Sequence, residues 1–268
     1  RQKAAECVHR AVKYTIKAVQ SNGFFVFCVA NTARRRYNTD EMRFELRFQT
    51  VKGGFSMQQP IRVLSKVKTR LYADAIPGHF ATNHSHINYY IDMSDIKHKQ
   101  SLAMTAARSI AARFSGMPVD TLLCLEGTEY IGAYLARELT RESLAGVNTG
   151  RDIFLVEPDS NINGQFTFSD NLRGMIEKKA VLVLAASAST GQTLDQAREC
   201  VEYYGGRPAG YAALFSNITE LHGKPVVSLF TGSDFPGYQT CAHGKNCPAC
   251  AAGLPLDAIV TPQGYRSL

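Results

Sequence analysis

The segment 180–205 constrains the fold of this chain more than any other part of it. It opens with seven consecutive apolar residues, 180–186, and continues through small and hydroxyl-bearing residues, 187–193. Apolar residues at helical spacing then follow as far as Gly205. An unbroken apolar strand is typical of a parallel sheet, whose two faces are both covered by other elements. The segment therefore predicts a buried strand, a tight loop and a helix inside an α/β domain.

The rest of the chain alternates between strand-like and helix-like patterns. Helices are predicted over 98–115 and from 129 to 139, and strands over 121–125, 152–156, 209–215 and 225–230, the last of these being the final predicted strand. The polar stretch 157–170, rich in Asn, Asp, Gly and Ser, predicts a long loop. Strands that alternate with helices indicate βαβ units, so we expect an α/β fold with a central parallel sheet and helices on both faces.

The formal net charge of +7 is concentrated near the N-terminus. Residues 1–56 contain 11 Lys/Arg against 4 Asp/Glu, whereas residues 57–268 contain 19 of each. The basic residues are scattered among apolar ones and do not form one helical face, so no nucleic-acid partner is expected. No stretch approaches the ~20 apolar residues that cross a bilayer, so no membrane partner is expected either.

Residues 1–56 form a basic N-terminal extension whose origin is open. Lys52-Gly53-Gly54, shortly before Met57, can be encoded by a bacterial ribosome-binding site. One hypothesis is that 1–56 is a translated upstream region and that Met57 is the true start. The alternative is a genuine basic extension or a gene fragment.

The loop that follows the apolar strand has the features of a phosphate site. Its small residues allow backbone amides to approach a ligand, and the start of the next helix offers unpaired N–H groups and a partial positive charge. Ser187, Ser189, Thr190 and Thr193 add hydroxyl donors, and Gly191 removes a Cβ atom. The alternative is an ordinary strand-to-helix turn with a Ser/Thr cap.

This loop resembles the phosphate-binding loop of type I phosphoribosyltransferases. In that family a hydrophobic strand is followed by two acidic residues, by small residues and by Thr-Gly-x-Thr/Ser, and residues 190–193 match the end of that pattern. The resemblance extends along 71–268. Residues 78–92 resemble the hood of orotate phosphoribosyltransferases, 120–132 resemble the strand and pyrophosphate loop, and the Cys-Pro-x-Cys motif at 247–250 resembles the tail of some bacterial orotate enzymes.

The resemblance implies a domain over 57–268 with a hood at 71–93, a core at 98–230 and a Cys-rich tail at 241–268. It implies a pentosyltransferase that converts orotate and phosphoribosyl pyrophosphate to orotidine monophosphate and pyrophosphate, in pyrimidine nucleotide synthesis. The family uses Mg²⁺ and usually forms homodimers. Phosphoribosyl pyrophosphate or a nucleotide monophosphate is therefore the expected partner.

Site residues carry over position by position. The expected phosphate-binding residues are Ser187, Ser189, Thr190, Gly191, Gln192 and Thr193. The expected pyrophosphate-loop residues are Glu126, Gly127 and Thr128, the expected lid residues are Asn161, Asn163 and Gly164, and the expected base-binding residues are His84 and His86. Alternation along a strand would place both histidines on one face. Glu126 and Glu129 are candidate Mg²⁺ ligands, although carboxylates at a helix start are common for dipole reasons alone.

The departures from the family fall on the catalytic groups. Ala185 and Ala186 stand at the positions of the acidic pair, so no catalytic residue is assigned there. The lid stretch 157–164 has two acidic residues and no basic one. Fixed cations stabilise an anionic leaving group, and loss of one such donor typically costs a factor of ~10²–10³. The alternative function is therefore a non-catalytic sensor or regulator that binds a phosphoribosyl ligand or nucleotide.

The seven cysteines indicate reduced thiols and a cytoplasmic protein. Cys241, His243, Cys247 and Cys250 lie within ten residues and form a candidate structural Zn²⁺ site. The resemblance supports only the Cys-Pro-x-Cys half of this set. Free thiols that close a turn are the alternative.

Overall fold

Residues 59–142, 146–161, 165–242 and 244–268 are described by the computed structural model of this chain, together with the backbone of 18–21 and 24–27. The chain divides into two units, Arg1–Ser56 and Met57–Leu268. In the first unit, β1 (Ala18–Ser21) pairs antiparallel with β2 (Phe24–Phe27). The hypothesis about the origin of residues 1–56 stays a prediction.

The second unit alternates strands and helices. Its elements are β3 (Ile61–Leu64), β4 (Tyr72–Ala81), β5 (Ser85–Asp92), α1 (Ser94–His98), α2 (Gln100–Phe114), β6 (Thr121–Cys124), α3 (Glu129–Thr140), β7 (Phe154–Val156), β8 (Asp159–Ser160), β9 (Phe166–Thr167), a 3-10 helix (Asp170–Met175), β10 (Ala180–Ala188), α4 (Gln192–Tyr203), β11 (Arg207–Ser216), β12 (Glu220–Leu221), β13 (Lys224–Thr231), a 3-10 turn (Gly232–Asp234), β14 (Thr240–Ala242), α5 (Pro248–Ala251), β15 (Ala258–Thr261) and β16 (Gly264–Ser267). None of the helices in these described ranges is both long enough and apolar enough to cross a membrane.

The central sheet has the strand order β12-β13-β11-β10-β6-β7. Its five main strands are mutually parallel, and only the short β12 is antiparallel to its neighbour. Numbered along the chain, the parallel strands stand in the order 2-1-3-4-5, which reverses direction between β6 and β10. In open α/β sheets a ligand binds at the carboxyl ends of the strands where the order reverses.

The core confirms the predicted parallel sheet with helices on both faces. Along β10, Leu182 and Leu184 pack into the cluster that holds the buried faces of α2 and α3, whereas Val181 and Val183 pack into the cluster that holds α4. All four side chains are fully buried. Burial of each such side chain contributes about 1.5–3 kcal/mol, which explains why the strand is apolar throughout.

A second sheet, the hood, lies in the same unit. Its order is β14-β5-β4-β15-β16, and β3 also pairs with β4. The hairpin of β4 and β5 is antiparallel, β15 is parallel to β4, and β14 is antiparallel to β5. The C-terminal tail is therefore part of the hood.

The prediction that 225–230 is the last strand was wrong, because three strands follow β13. These strands are three or four residues long, and β14 and β15 pair with β5 and β4, about 150 or more residues earlier in the chain. Their stability comes from that pairing and from side chains such as Phe80, which is fully buried beside Ala258 and Tyr265.

Candidate functional site

A cavity of about 140 Å³ lies at the carboxyl end of β10, below the hood. The loop 186–193 forms its floor. Residues 82–84 and 89–91 of the hood and residues 260–262 of the tail complete its walls. The cavity lies next to the point between β6 and β10 where the strand order reverses. The topology of the sheet predicts a ligand at this point.

The floor of the cavity has the geometry of an anion site. All six predicted phosphate-binding residues line the cavity. Gly191 is the N-cap of α4 and has a φ of +83°, and a Cβ atom there would lie 2.6 Å from Cδ1 of Ile218. The loop therefore requires glycine, and it starts α4 at the cavity. The N-terminal dipole of α4 and the hydroxyl groups of the loop together favour a negative ligand.

Glu126 brings a carboxylate to this floor from the neighbouring strand. Glu126 and Gly127 follow β6 with φ values of +58° and +77°, and two consecutive left-handed residues turn the chain sharply. The backbone N–H of Ser187 donates to Oε2 of Glu126 at 3.0 Å, and Nζ of Lys97 donates to the carbonyl oxygen of Glu126 at 3.1 Å. Burial raises the pKa of Glu126, and the Ser187 hydrogen bond and the charge of Lys97 oppose that rise.

The predicted pyrophosphate loop divides into two parts. Glu126 and Gly127 line a wider cleft of about 960 Å³ that adjoins the cavity. Thr128 is fully buried, and its hydroxyl donates to the carbonyl oxygens of Leu125 at 3.0 Å and Leu184 at 3.1 Å. Thr128 therefore holds β6 against β10 and does not line the cleft.

The wider cleft is acidic. Glu129 and Glu157 line it together with Glu126, and Ser160 and Phe166 of the β8–β9 hairpin form its edge. Burial raises the pKa of Glu157, with further contributions from the charges of Glu129 and Asp159. Oε1 of Glu129 is buried and has no hydrogen-bond partner within the described part of the chain. Lys97 is the one lysine or arginine among the described residues that line the two spaces.

The two predicted base-binding histidines do not share a face. Because β5 begins at Ser85, His84 lies in the preceding turn, where it lines both the cavity and the cleft. His86 is absent from those linings, and its Nδ1 lies 3.2 Å from Nε2 of His79. Between them, the hydroxyl of Ser85 lies 3.3 Å from the hydroxyl of Ser189 and links the hood to the floor.

The two alanines at the family's acidic positions also differ. Ala185 is fully buried on the α4 side of the sheet, whereas Ala186 lines the cavity. Of the predicted lid residues, Asn161 bonds with Gln165 across the β8–β9 turn and is not among the residues that line the cleft. Asn163 and Gly164 lie outside the described residues.

The candidate zinc residues are only partly brought together. Cys247 and Cys250 lie close to His79 and His86, with the four candidate ligand atoms within 4.8 Å of one another. The thiol of Cys241 is outside this group, although it interacts with the thiol of Cys247, and it lies 3.8 Å from the carbonyl oxygen of Asn246. His243 lies outside the described residues.

Sequence reasoning missed several residues that line the cavity. Lys97 stands in α1, and Val260, Thr261 and Pro262 come from the tail. Tyr238 also lines the cavity, and its ring packs against the ring of Phe215. No local pattern marks these positions, because their role depends on pairing between distant parts of the chain.

No family model matches this chain, and no curated protein matches it. Among solved structures, it is similar to Mycobacterium tuberculosis orotate phosphoribosyltransferase in complex with 5-phospho-α-D-ribosyl 1-diphosphate (15% identity, 54% of this chain and 82% of that chain, TM-score 0.41). It is also similar to Trypanosoma brucei adenine phosphoribosyl transferase in complex with AMP, pyrophosphate and ribose-5-phosphate (14% identity, 68% of this chain and 86% of that chain, TM-score 0.42). A third similar structure is a phosphoribosyltransferase from Corynebacterium diphtheriae (15% identity, 59% of this chain and 90% of that chain, TM-score 0.40). The α/β fold itself is seen in the order and direction of this chain's own strands.

Proposed function

We propose that this chain is a phosphoribosyltransferase-like protein that binds the 5′-phosphate of a ribosyl ligand on the loop 187–193. The observation that supports this most is the construction of that loop. A left-handed Gly191 caps α4 at the cavity floor, and the hydroxyls of Ser189, Thr190 and Thr193 lie around it. Such a floor supplies donors and a positive dipole to a phosphate with no need for a lysine.

We further propose that a divalent cation accompanies the ligand in the wider cleft. The carboxylates of Glu129 and Glu157 both line that cleft, the charge of Glu129 raises the pKa of Glu157, and one Glu129 oxygen lacks a hydrogen-bond partner among the described residues, which fits a hard cation with oxygen ligands. Mg²⁺ at these carboxylates would neutralise the charge of a pyrophosphate group. Without it, the same carboxylates would repel that group.

Transfer of the ribosyl group to orotate is the proposed reaction. The base would lie under the hood, near His84 and Lys97, and the ammonium of Lys97 would favour an anionic base such as orotate. The sequence resemblance to orotate enzymes supports this choice. We also propose, on the same resemblance and on the thiol content, a cytoplasmic protein that forms a homodimer.

A sensor that binds the ligand without turnover is the second candidate. The observation in its favour is the lining of the site: Ala186 stands at the cavity, and no arginine occurs among the described residues that line the cavity and the cleft. A transition state that develops negative charge on the leaving group would find Lys97 as the one lysine or arginine among the described residues that line these spaces.

Two assays on the full chain with Mg²⁺ separate these functions. One follows pyrophosphate release from phosphoribosyl pyrophosphate with orotate and with other bases, and the other measures binding of the same ligand by calorimetry. Base-dependent release above a heat-inactivated control identifies a transferase. Saturable binding without release identifies a sensor.

The Thr190→Val variant connects either result to the loop. Loss of one hydroxyl donor should weaken binding by about tenfold or more, because a hydrogen bond to a charged group contributes about 1.5–3 kcal/mol. Thr105→Val is the matched control, since the Thr105 hydroxyl donates to Ser101 on α2, away from the cavity. Binding that is absent in the wild-type protein, or unchanged in Thr190→Val, contradicts the proposal.

A further inference from the structure

A cluster of four side chains lies outside the cavity and the cleft, where the tail meets the hood. His79 is in β4 and His86 is in β5, so the two imidazoles come from adjacent strands of one hairpin. Cys247 is the N-cap of α5, which begins at Pro248, and Cys250 lies within that helix. The cluster therefore joins two parts of the chain that are about 160 to 170 residues apart.

Four of the six distances in this cluster lie within about 0.4 Å of the edges of a tetrahedron around a metal ion, and all six are below 4.8 Å. Nε2 of His79 lies 3.5 Å from each of the two sulfur atoms and 3.2 Å from Nδ1 of His86. Nδ1 of His86 lies 3.2 Å from Sγ of Cys250. With zinc–sulfur bonds of ~2.3 Å and zinc–nitrogen bonds of ~2.0–2.1 Å, a regular tetrahedron has S···N edges of ~3.6 Å and N···N edges of ~3.3–3.4 Å.

The surroundings of His79 fix the tautomer that a metal requires. Nδ1 of His79 lies 3.2 Å from the carbonyl oxygen of Leu254 and 3.0 Å from that of Pro255. A carbonyl oxygen can only accept, so Nδ1 carries the proton and Nε2 presents its lone pair to the cluster. In a metal-binding histidine, the ring nitrogen that does not bind the metal usually donates a hydrogen bond, often to a backbone carbonyl oxygen.

The chemistry of the four groups favours a cation at their centre. Two imidazole nitrogens at 3.2 Å and two thiols crowd one site, in which His79 and Cys247 are buried. A divalent ion with two thiolates and two neutral imidazoles gives a site with no net charge. Cys247 and Cys250 alone would suffice for a disulfide or a thiol redox pair, and neither use explains why both imidazoles converge on the sulfur atoms.

We propose that His79, His86, Cys247 and Cys250 bind a structural Zn²⁺ ion. Four protein ligands leave no open position, which is the pattern of a structural zinc site and not of a catalytic one. This set replaces Cys241 and His243 of the sequence-based candidate with two histidines from the hood.

The position of the ion indicates what it does. It fastens the segment that begins at Cys247 to the hairpin of β4 and β5. That hairpin supplies residues 82–84 to the cavity, and the tail beyond α5 supplies residues 260–262. The ion therefore holds two walls of the cavity together, and its loss should loosen the hood while the parallel sheet remains folded.

Metal analysis of the full chain tests the proposal directly. Protein purified without chelator should contain one zinc per chain, and the form reconstituted with Co²⁺ should show the visible absorption of tetrahedral cobalt with thiolate charge transfer. Zinc should also protect Cys247 and Cys250 from alkylation, and a chelator should expose them. A wild-type protein that takes up neither metal, and whose two thiols react equally with and without chelator, overturns the proposal.

Four variants identify the ligands. His79→Gln and Cys250→Ser should each lose the stoichiometric zinc and the cobalt spectrum. His243→Ala and Cys241→Ser are the controls and should keep both, the second because the Cys241 thiol contacts Cys247 without belonging to the four ligand atoms. Loss in the two controls with retention in His79→Gln would overturn the proposed set in favour of the sequence-based one. The alkylation measurement on the wild-type protein decides the matter even if a ligand variant fails to fold.

Discussion

Glu126 combines a strained backbone conformation with a raised side-chain pKa at the site. A glutamate with a φ of +58° is uncommon, and this one also brings a carboxylate into a half-buried position against the N–H of Ser187. Strained residues of this kind concentrate at ligand sites, where surrounding structure maintains them. We interpret the strain as the cost of presenting an acceptor beside the phosphate loop.

The raised pKa of Glu126 predicts a pH dependence of stability. The folded protein holds the Glu126 proton more tightly than the unfolded chain, in which the pKa of this carboxyl group is 4.5. The stability that this group contributes is therefore fully present below about pH 4.5. It is lost as the pH rises through the pKa of Glu126 in the folded state. Each unit by which the pKa is raised corresponds to about 1.4 kcal/mol.

Glu126→Gln should be more stable than the wild-type protein at neutral pH, and this advantage should vanish at acid pH. Gln stays neutral and can still accept from Ser187, so the substitution removes the charge and keeps the geometry. Urea unfolding at a series of pH values measures the difference. Glu199→Gln, on the exposed side of α4, is the control and should show no such trend. An advantage that grows toward acid pH would show that the sign is wrong.

The two alanines at the carboxyl end of β10 predict losses of stability of unequal size for the same chemical change. Ala185→Asp places an unpaired carboxylate in the fully buried core beside Val183 and should cost about 3 kcal/mol or more. Ala186→Asp places it at the cavity, where solvent and a cation can reach it, and should cost much less. Chemical denaturation of the pair measures the contrast, and equal losses would contradict the assigned directions of these side chains.

At the scale of elements, the loop between β10 and α4 is the unit on which the site depends. Gly191→Ala forces an alanine into the left-handed region, at a cost of about 1–2 kcal/mol, and brings a Cβ atom within 2.6 Å of Ile218. Because the loop must shift to relieve that contact, ligand binding should fall by tenfold or more.

Gly223→Ala is the matched control for this element. Gly223 has a φ of +76° in the turn between β12 and β13, and no atom stands within 4 Å of a Cβ there. The control should lose a similar amount of stability by thermal unfolding and keep full binding by calorimetry. Equal binding in the two variants would show that the conformation of Gly191 does not matter to the ligand.

The core elements could be predicted from the sequence because their signals are local. The apolar run of β10, the four-residue steps of α2 and the stop at Gly205 all act within a few neighbouring residues. The faces of His84 and His86 could not be predicted from the sequence. The Thr82 hydroxyl oxygen accepts hydrogen bonds from the backbone N–H groups of His84 and Ser85, and this turn delays the start of β5 to Ser85. Because His84 lies in the turn, the alternation along β5 sets the direction of His86 but not that of His84.

At the scale of the whole second unit, the site lies between a parallel sheet and a hood assembled from both ends of that unit. Residues 82–84 precede the core in the chain, and residues 260–262 follow it. Pairing of β15 with β4 and of β14 with β5 brings them together. Sequence periodicity carries no information about such distant pairing, which is why the tail was predicted as a separate segment and Lys97 was missed.

The central claim is that the loop 187–193 binds the phosphate of a ribosyl ligand. Amide hydrogen exchange on the full chain, with and without ribose 5-phosphate and Mg²⁺, tests it most directly. We expect slower exchange in residues 187–193 and in the first turn of α4, with no such change in Gly191→Ala. Unchanged exchange in this loop at saturating ligand, or protection confined to another part of the chain, would contradict the claim.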